Sequence, residues 1–196
     1  MKKFIVGLFM LFSTAVFAHP LGGTMPARLK TFVDNLGTVS ANFTQVKILP
    51  ESTKQFKSSG RVKFIKGTGF TWHQIKPSET IFTSTLTSYC LNGESAELNE
   101  LPYFNQIQSM IDEMLNGDMS DFLFAFDADY VDDKNANGWH IVATPRLSAM
   151  TDFIQDLTIY GTTKDLTKII ITYADGTILI LNFTRSSKDF NYEIVC

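Results

Sequence analysis

The residues of this chain that could do chemistry lack the patterns that chemistry needs. His73 and His140 each follow a tryptophan, Trp72 and Trp139. Neighbours on an extended segment point to opposite faces, so each imidazole is expected on the polar side of a strand, solvated and without a nucleophile or carboxylate motif beside it. Asp127, Asp129, Asp132 and Asp133 form the one acidic cluster. A calcium loop needs a glycine at its sharp turn and a distal glutamate at fixed spacing, and both are missing, so the expectation is a solvated loop without metal. The sequence contains no HExxH, nucleophile-elbow serine, CxxC or phosphate-binding glycine loop. The two thiols, Cys90 and Cys196, either bond to each other in an oxidising compartment or stand apart, and spacing alone leaves both readings open. No catalytic residue, metal or cofactor is expected.

What such a chain offers instead is apolar surface. Hydrophobic residues make up 44%, enough for a sizeable core, and 17 of them are phenylalanines. Phenylalanine is bulky and carries no polar handle, so this stock implies either a deep core or an oily binding surface. The first 18 residues run from Lys2 and Lys3 through an apolar stretch to Val16-Phe17-Ala18. This is the layout of a signal peptide for export to the periplasm, with cleavage expected after Ala18. The stretch is short for a membrane span, and no cysteine follows the cut to take a lipid anchor, so a soluble product is expected. Removing it takes two lysines and no acid from 17 basic and 20 acidic residues, so the net charge of −3 becomes −5. A mildly acidic surface disfavours nucleic acid and anionic membranes as direct partners.

The elements that would position this surface can be read from periodicity. Leu29, Phe32, Val33 and Leu36 repeat at helical spacing behind Thr24 and Pro26, with Gly37 as a stop. Val39, Ala41 and Phe43 then alternate with polar residues, as do Val62 and Phe64 after Gly60. Phe70 and Trp72 share one face of a third strand that Lys76-Pro77 ends; Ile81-Phe82 and Tyr89–Leu91 follow as further strands. Phe104, Ile107, Met110, Ile111, Met114 and Leu115 return to helical spacing, and a helical turn over Met119 to Phe126 precedes another strand. Trp139, Ile141 and Ala143 alternate again, a short helical turn lies near Ser148, and Phe153 to Tyr160 is rich in strand formers. The clearest hairpin joins Ile169–Tyr173 to Thr177–Phe183 through Asp175-Gly176, and Phe190 to Val195 offers a last strand. No linker or repeat divides residues 19–196, so a single domain is expected. Successive antiparallel strands with two oily helices make an α+β fold, and the helices have few places to lie except across the apolar face of a curved sheet.

Val39-Ser-Ala-Asn-Phe-Thr-Gln45, Ser59-Gly60, Phe70-Thr-Trp72, Lys76-Pro-Ser-Glu79, Leu115-Asn-Gly-Asp118, Trp139-His-Ile-Val-Ala-Thr-Pro145 and the Asp175-Gly176 hairpin occur in this order. Together they resemble the LolA family of periplasmic lipoprotein carriers over nearly all of the chain after residue 18. The resemblance implies an incomplete antiparallel β-barrel with a helical lid over a hydrophobic cavity. It also implies lipoprotein acyl chains as cargo, an inner-membrane transporter as donor and an outer-membrane acceptor. The family's Arg-Pro before the Phe-x-Trp pair is Lys66-Gly67 here, which makes Lys66 the counterpart of an arginine that binds the closed lid.

Phe43, Phe64, Phe70, Trp72, Ile81, Trp139 and Ile141 are expected to line the cavity, beneath a lid formed by helices 26–36 and 103–116. Ile107, Ile111 and Met114 would face the cargo from the second of these helices. The protein is then a monomeric, non-enzymatic carrier. Two other readings share the same cavity: a lipid-sensing adaptor, and a carrier or enzyme of a glycolipid or aryl-polyene pathway.

Overall fold

A computed structural model of the chain describes residues 19–21, 25–51, 54–85, 88–96, 118–133, 138–188 and 190. The expected helix 103–116 lies outside these residues, as do the segment 1–18 and all but Phe190 of the expected strand Phe190 to Val195. Among the described residues, no helix is long and apolar enough to cross a membrane.

The chain builds one large antiparallel sheet in two meanders. The first contains β2 (Thr38–Ile48), β3 (Gln55–Ile65), β4 (Gly69–Lys76), β5 (Thr80–Thr85), β6 (Tyr89–Leu91) and β7 (Glu94–Ala96). The second contains β8 (Phe126–Asp133), β9 (Gly138–Pro145), β10 (Ile154–Thr162), β11 (Leu166–Tyr173) and β12 (Ile178–Arg185). A two-residue strand at the start, β1 (His19–Pro20), adds to β8, and β12 pairs with β2 to join the meanders, giving the order β1-β8-β9-β10-β11-β12-β2-β3-β4-β5-β6-β7. Among the described residues there are three short helices: α1 (Ala27–Asp34), α2 (Ser120–Ala125) and α3 (Ser148–Thr151).

Local chemistry explains the boundaries. The β11–β12 hairpin turns through Ala174, Asp175 and Gly176, with Gly176 at φ +82° and the Asp175 carboxylate accepting the Thr177 amide at 2.8 Å. That amide holds the Asp175 carboxyl below its usual range. Only Gly176 needs positive φ, so this is a three-residue loop rather than the two-residue turn that the Asp-Gly pair favours. At the start of α2 the Asp118 carboxylate accepts the Ser120 amide at 2.8 Å, satisfying one of the donors that a helix leaves open.

The acidic cluster is a strand and not a loop. Phe126, Ala128 and Tyr130 turn inward on β8, while Asp127 and Asp129 lie exposed on its other face. Aspartate is disfavoured in strands, but alternate inward aromatics pairing with β9 outweigh that preference. Two of these acids do structural work. Asp127 pairs with Arg146. Asp132 accepts the Tyr130 hydroxyl at 2.7 Å and faces Arg28 at 3.4 Å, while the Arg28 guanidinium also donates to the carbonyls of Asp133 and Gly138. Burial and the Asp132 charge both push the Tyr130 phenol up, so it stays protonated as a donor. Arg28 thereby pins the first turn of α1 to the β8–β9 edge.

The outer face of the sheet also departs from expectation. Ser40, Lys63, Thr71, Thr83 and Cys90 form a row across β2 to β6 by direct cross-strand pairing. All five are buried. The chain leaving β12 turns onto this side: the Ser186 amide donates to the Ser40 carbonyl, Lys63 donates to the Phe190 carbonyl at 3.0 Å, and the Arg61 guanidinium stacks over the Phe190 ring at 4.7 Å. Cys90 is disulfide-bonded. His73, expected to be solvated, is 7% exposed and bonded to Glu79 at 2.8 Å. Its parity was legible, since it does point away from Trp72; the cover over that side was not. His140 is half-buried and stacks on Tyr160.

Candidate functional site

Cross-strand pairs put one continuous apolar surface on the inner face. Val39, Phe64 and Phe70 stand in one row across β2, β3 and β4, and Ala41, Val62 and Trp72 in the next. Pairing of β12 with β2 and of β11 with β12 continues it through Phe183, Leu181 and Ile169. Gly60 lies opposite Phe43 and offers no side chain there, so the Phe43 ring reaches across to stack on Trp72, centroids 3.8 Å apart. Phe183 meets the same indole edge-on at 6.3 Å. Edge-to-face and offset stacking fix these rings in orientation as well as position.

Helix α1 covers only part of this surface. Leu29, Phe32 and Val33 are buried against β9 and β10, with Phe32 lying 5.3 Å from Trp139. That half is a solid core, shared with Ile141, Ala143, Ile159, Phe122 and Phe126. On the other flank of α1 the sheet stays uncovered by it, and a cavity of about 270 Å³ opens. Phe32 and Leu36 form its helical wall; Val39, Ala41, Val62, Phe64, Phe70 and Trp72 its first sheet wall; Leu166, Ile169, Ile171, Leu181 and Phe183 its second. Among the described residues its ionisable lining groups are Lys164 and Asp165, in the turn between β10 and β11, and Arg185, at the end of β12.

The expected site residues therefore divide into six groups. Phe64, Phe70 and Trp72 line the cavity. Phe43 is 1% exposed and supports Trp72 from behind rather than facing the space. Trp139 and Ile141 lie on the correct face but in the filled half, because parity names a face and does not say where a helix will sit on it. Ile81 is a correction: it pairs with His73, so it points to the outer face, and Phe82, the partner of Trp72, takes the inner position. Ile107, Ile111 and Met114 lie outside the described residues. Lys66 extends from the end of β3 and donates to the Val33 carbonyl in the last turn of α1 at 3.4 Å, where a cation also suits the helix dipole.

Residues of β11 and β12 were missed. Ile169-Ile170-Ile171 is apolar at every position, which hides the inner face, and the β12–β2 pairing joins residues about as far apart as the domain allows. The alternation of Leu179, Leu181 and Phe183 was the available signal.

No protein-family model matches the chain, and no curated protein matches it by sequence. Among solved structures it is similar to a LolA superfamily protein from Nitrosomonas europaea, with 10% identity, a TM-score of 0.44, and 83% of this chain and 93% of that one covered. It is also similar to a putative outer membrane lipoprotein-sorting protein domain from Vibrio parahaemolyticus, with 10% identity, a TM-score of 0.35, and 79% and 88% covered.

Proposed function

We propose that this protein is a LolA-like periplasmic carrier. It holds acyl chains of a lipoprotein, or of a related lipid, in the cavity beside α1 and shuttles them from the inner to the outer membrane. The observation that carries this reading is the unfilled apolar space between α1 and a wall of stacked rings. Water in such a space gains few hydrogen bonds, whereas each methylene sheltered there contributes about 0.8 kcal/mol. Binding and release need no covalent step. A methylene takes up roughly the volume of a liquid water molecule, about 30 Å³, so the cavity accepts on the order of nine of them before anything moves. Larger cargo requires the helical cover to shift. The deciding experiment is native mass spectrometry of the protein purified from its own periplasm: co-purifying lipid or lipopeptide supports the reading, and an empty protein that also fails to bind a fluorescent fatty acid rejects it. The same spectrum checks that the mature chain begins at His19.

In this reading Lys66 latches α1 over the cavity. Changing Lys66→Met is expected to cost no more than about 1 kcal/mol of global stability while speeding hydrogen exchange at the α1 amides several-fold. Unchanged exchange there would remove the latch.

Cys90 and Cys196 are proposed to bond to each other, which supports the assignment to an oxidising compartment. A bond between these positions closes a loop of about a hundred residues, and loops of that length stabilise by about 2–4 kcal/mol in practice. Reduction is therefore expected to lower the urea midpoint strongly without reducing cavity binding below it. Peptide mapping without reductant reads the pairing directly.

A further inference from the structure

The cavity is not apolar to its rim. Lys164 and Asp165, in the tight turn between β10 and β11, and Arg185, at the end of β12, line it at one end. From this we infer that the mouth is a headgroup site for an anionic amphiphile, whose carboxylate or phosphate meets Lys164 and Arg185 while its chain lies on Phe70 and Trp72; the inference rests on the carrier reading and adds the class of cargo.

The turn that carries these groups is fixed before any ligand arrives. The Thr162 hydroxyl accepts the amides of Lys164 and Asp165 at 3.1 and 3.0 Å, the Thr162 amide donates to the Asp165 carbonyl, and Asn35, next to α1, donates to the Thr163 carbonyl. Arg185 is oriented in turn: Nε pairs with the Asp165 carboxylate and Nη2 donates to the Lys164 carbonyl at 2.6 Å. Its side chain remains 47% exposed, and Nη1 makes no hydrogen bond among the described residues. The Lys164 ammonium has no partner among them either. Asp165 is thus already matched by Arg185, and among the described residues the mouth keeps a surplus positive charge on a protein whose net charge is −3. The nearest acid of α1, Asp34, is bonded to Lys30 at 2.7 Å. A guanidinium held on one edge with the other open, beside an unpaired ammonium, suits an oxyanion. A neutral headgroup leaves the surplus charge unanswered.

The test is calorimetric titration of the mature protein with four ten-carbon ligands, decanoate, decyl phosphate, decanol and decylamine, at low and high salt. Decanoate or decyl phosphate is expected to bind about tenfold more tightly than decanol, with the gap shrinking in salt, and the stronger of the two identifies the oxyanion. In Lys164→Gln and in Lys164→Gln/Arg185→Gln the anion-to-alcohol ratio should fall towards one. The single variant guards against misfolding, because the Lys164 side chain bonds to nothing described. Equal binding of anion and alcohol by the unmodified protein overturns the headgroup site and leaves the carrier reading standing. Tighter binding of decylamine, or a preference that survives both variants, also overturns it. Failure of all four ligands rejects the carrier reading itself.

Discussion

Phe70→Glu is expected to abolish acyl-chain binding while the protein still folds. Phe70 stands in the row with Val39 and Phe64, half-buried at the cavity wall and 5.7 Å from the Phe82 ring. A carboxylate there either stays hydrated, which fills the cavity with water, or is stripped of water by the entering chain. The second outcome leaves an ionised group in hydrocarbon, a penalty of several kcal/mol. Affinity for a ten-carbon ligand should fall at least about a hundredfold, since each 1.4 kcal/mol is a factor of ten. The fold should survive because the ring is only half-buried and one side of it lines the cavity. Circular dichroism and the thermal midpoint test that half of the statement, and fluorescent fatty-acid displacement tests the other. Undiminished binding by a folded Phe70→Glu protein would mean that the cargo lies elsewhere.

A large loss of stability is expected from Gly161→Ala. Gly161 on β10 pairs directly with Trp139 on β9, and the indole lies flat over it. A Cβ at position 161 would sit 2.3 Å from Cζ2 of that ring, inside any tolerable contact. The ring cannot swing aside at small cost: its Nε1 donates to the Thr162 carbonyl at 2.9 Å, and Phe32 of α1 leans on it from above. Tryptophan over a strand glycine is a recognised way to pin register. One added methyl therefore forces the indole into α1 or splits β9 from β10, and overpacking of this kind costs about 1–3 kcal/mol, with the lost hydrogen bond on top. Urea unfolding should show the midpoint drop with little change in slope. A loss below about 0.5 kcal/mol would show that the indole has room to move and that α1 is not seated through it.

Much of this architecture could be read from the chain alone, and the misreadings share a physical cause. Alternation placed Phe64, Phe70 and Trp72 on one face because a strand has a rigid period of two, and local turn chemistry located the β11–β12 hairpin within a residue. Helical spacing gave α1 its buried stripe of Leu29, Phe32 and Val33. Ile81 falls on the outer face because the β4–β5 register pairs Trp72 with Phe82 and His73 with Ile81, and a shift of one residue in that register exchanges the faces. Trp139 and Ile141 were placed in the cavity because nothing local says which half of a concave face a helix will occupy; that follows from Arg28 and the carbonyls of β8–β9, more than a hundred residues away in sequence. The same non-local character concealed the cover over Lys63, which depends on where the chain goes after β12.

The sheet ends in β1 on one side and β7 on the other among the described residues, and those two strands do not pair with each other. In a closed barrel the number of strands and their stagger set the bore once and for all. A ribbon of strands with a seam is under no such restriction. It can relax its curl and widen its calibre without giving up a single rung of the ladder, at the expense only of side-chain contacts along the gap. The cavity of about 270 Å³ is then the resting size of a sleeve that can open, and uncurling adds to the room that a shift of the helical cover gives a passenger with several tails.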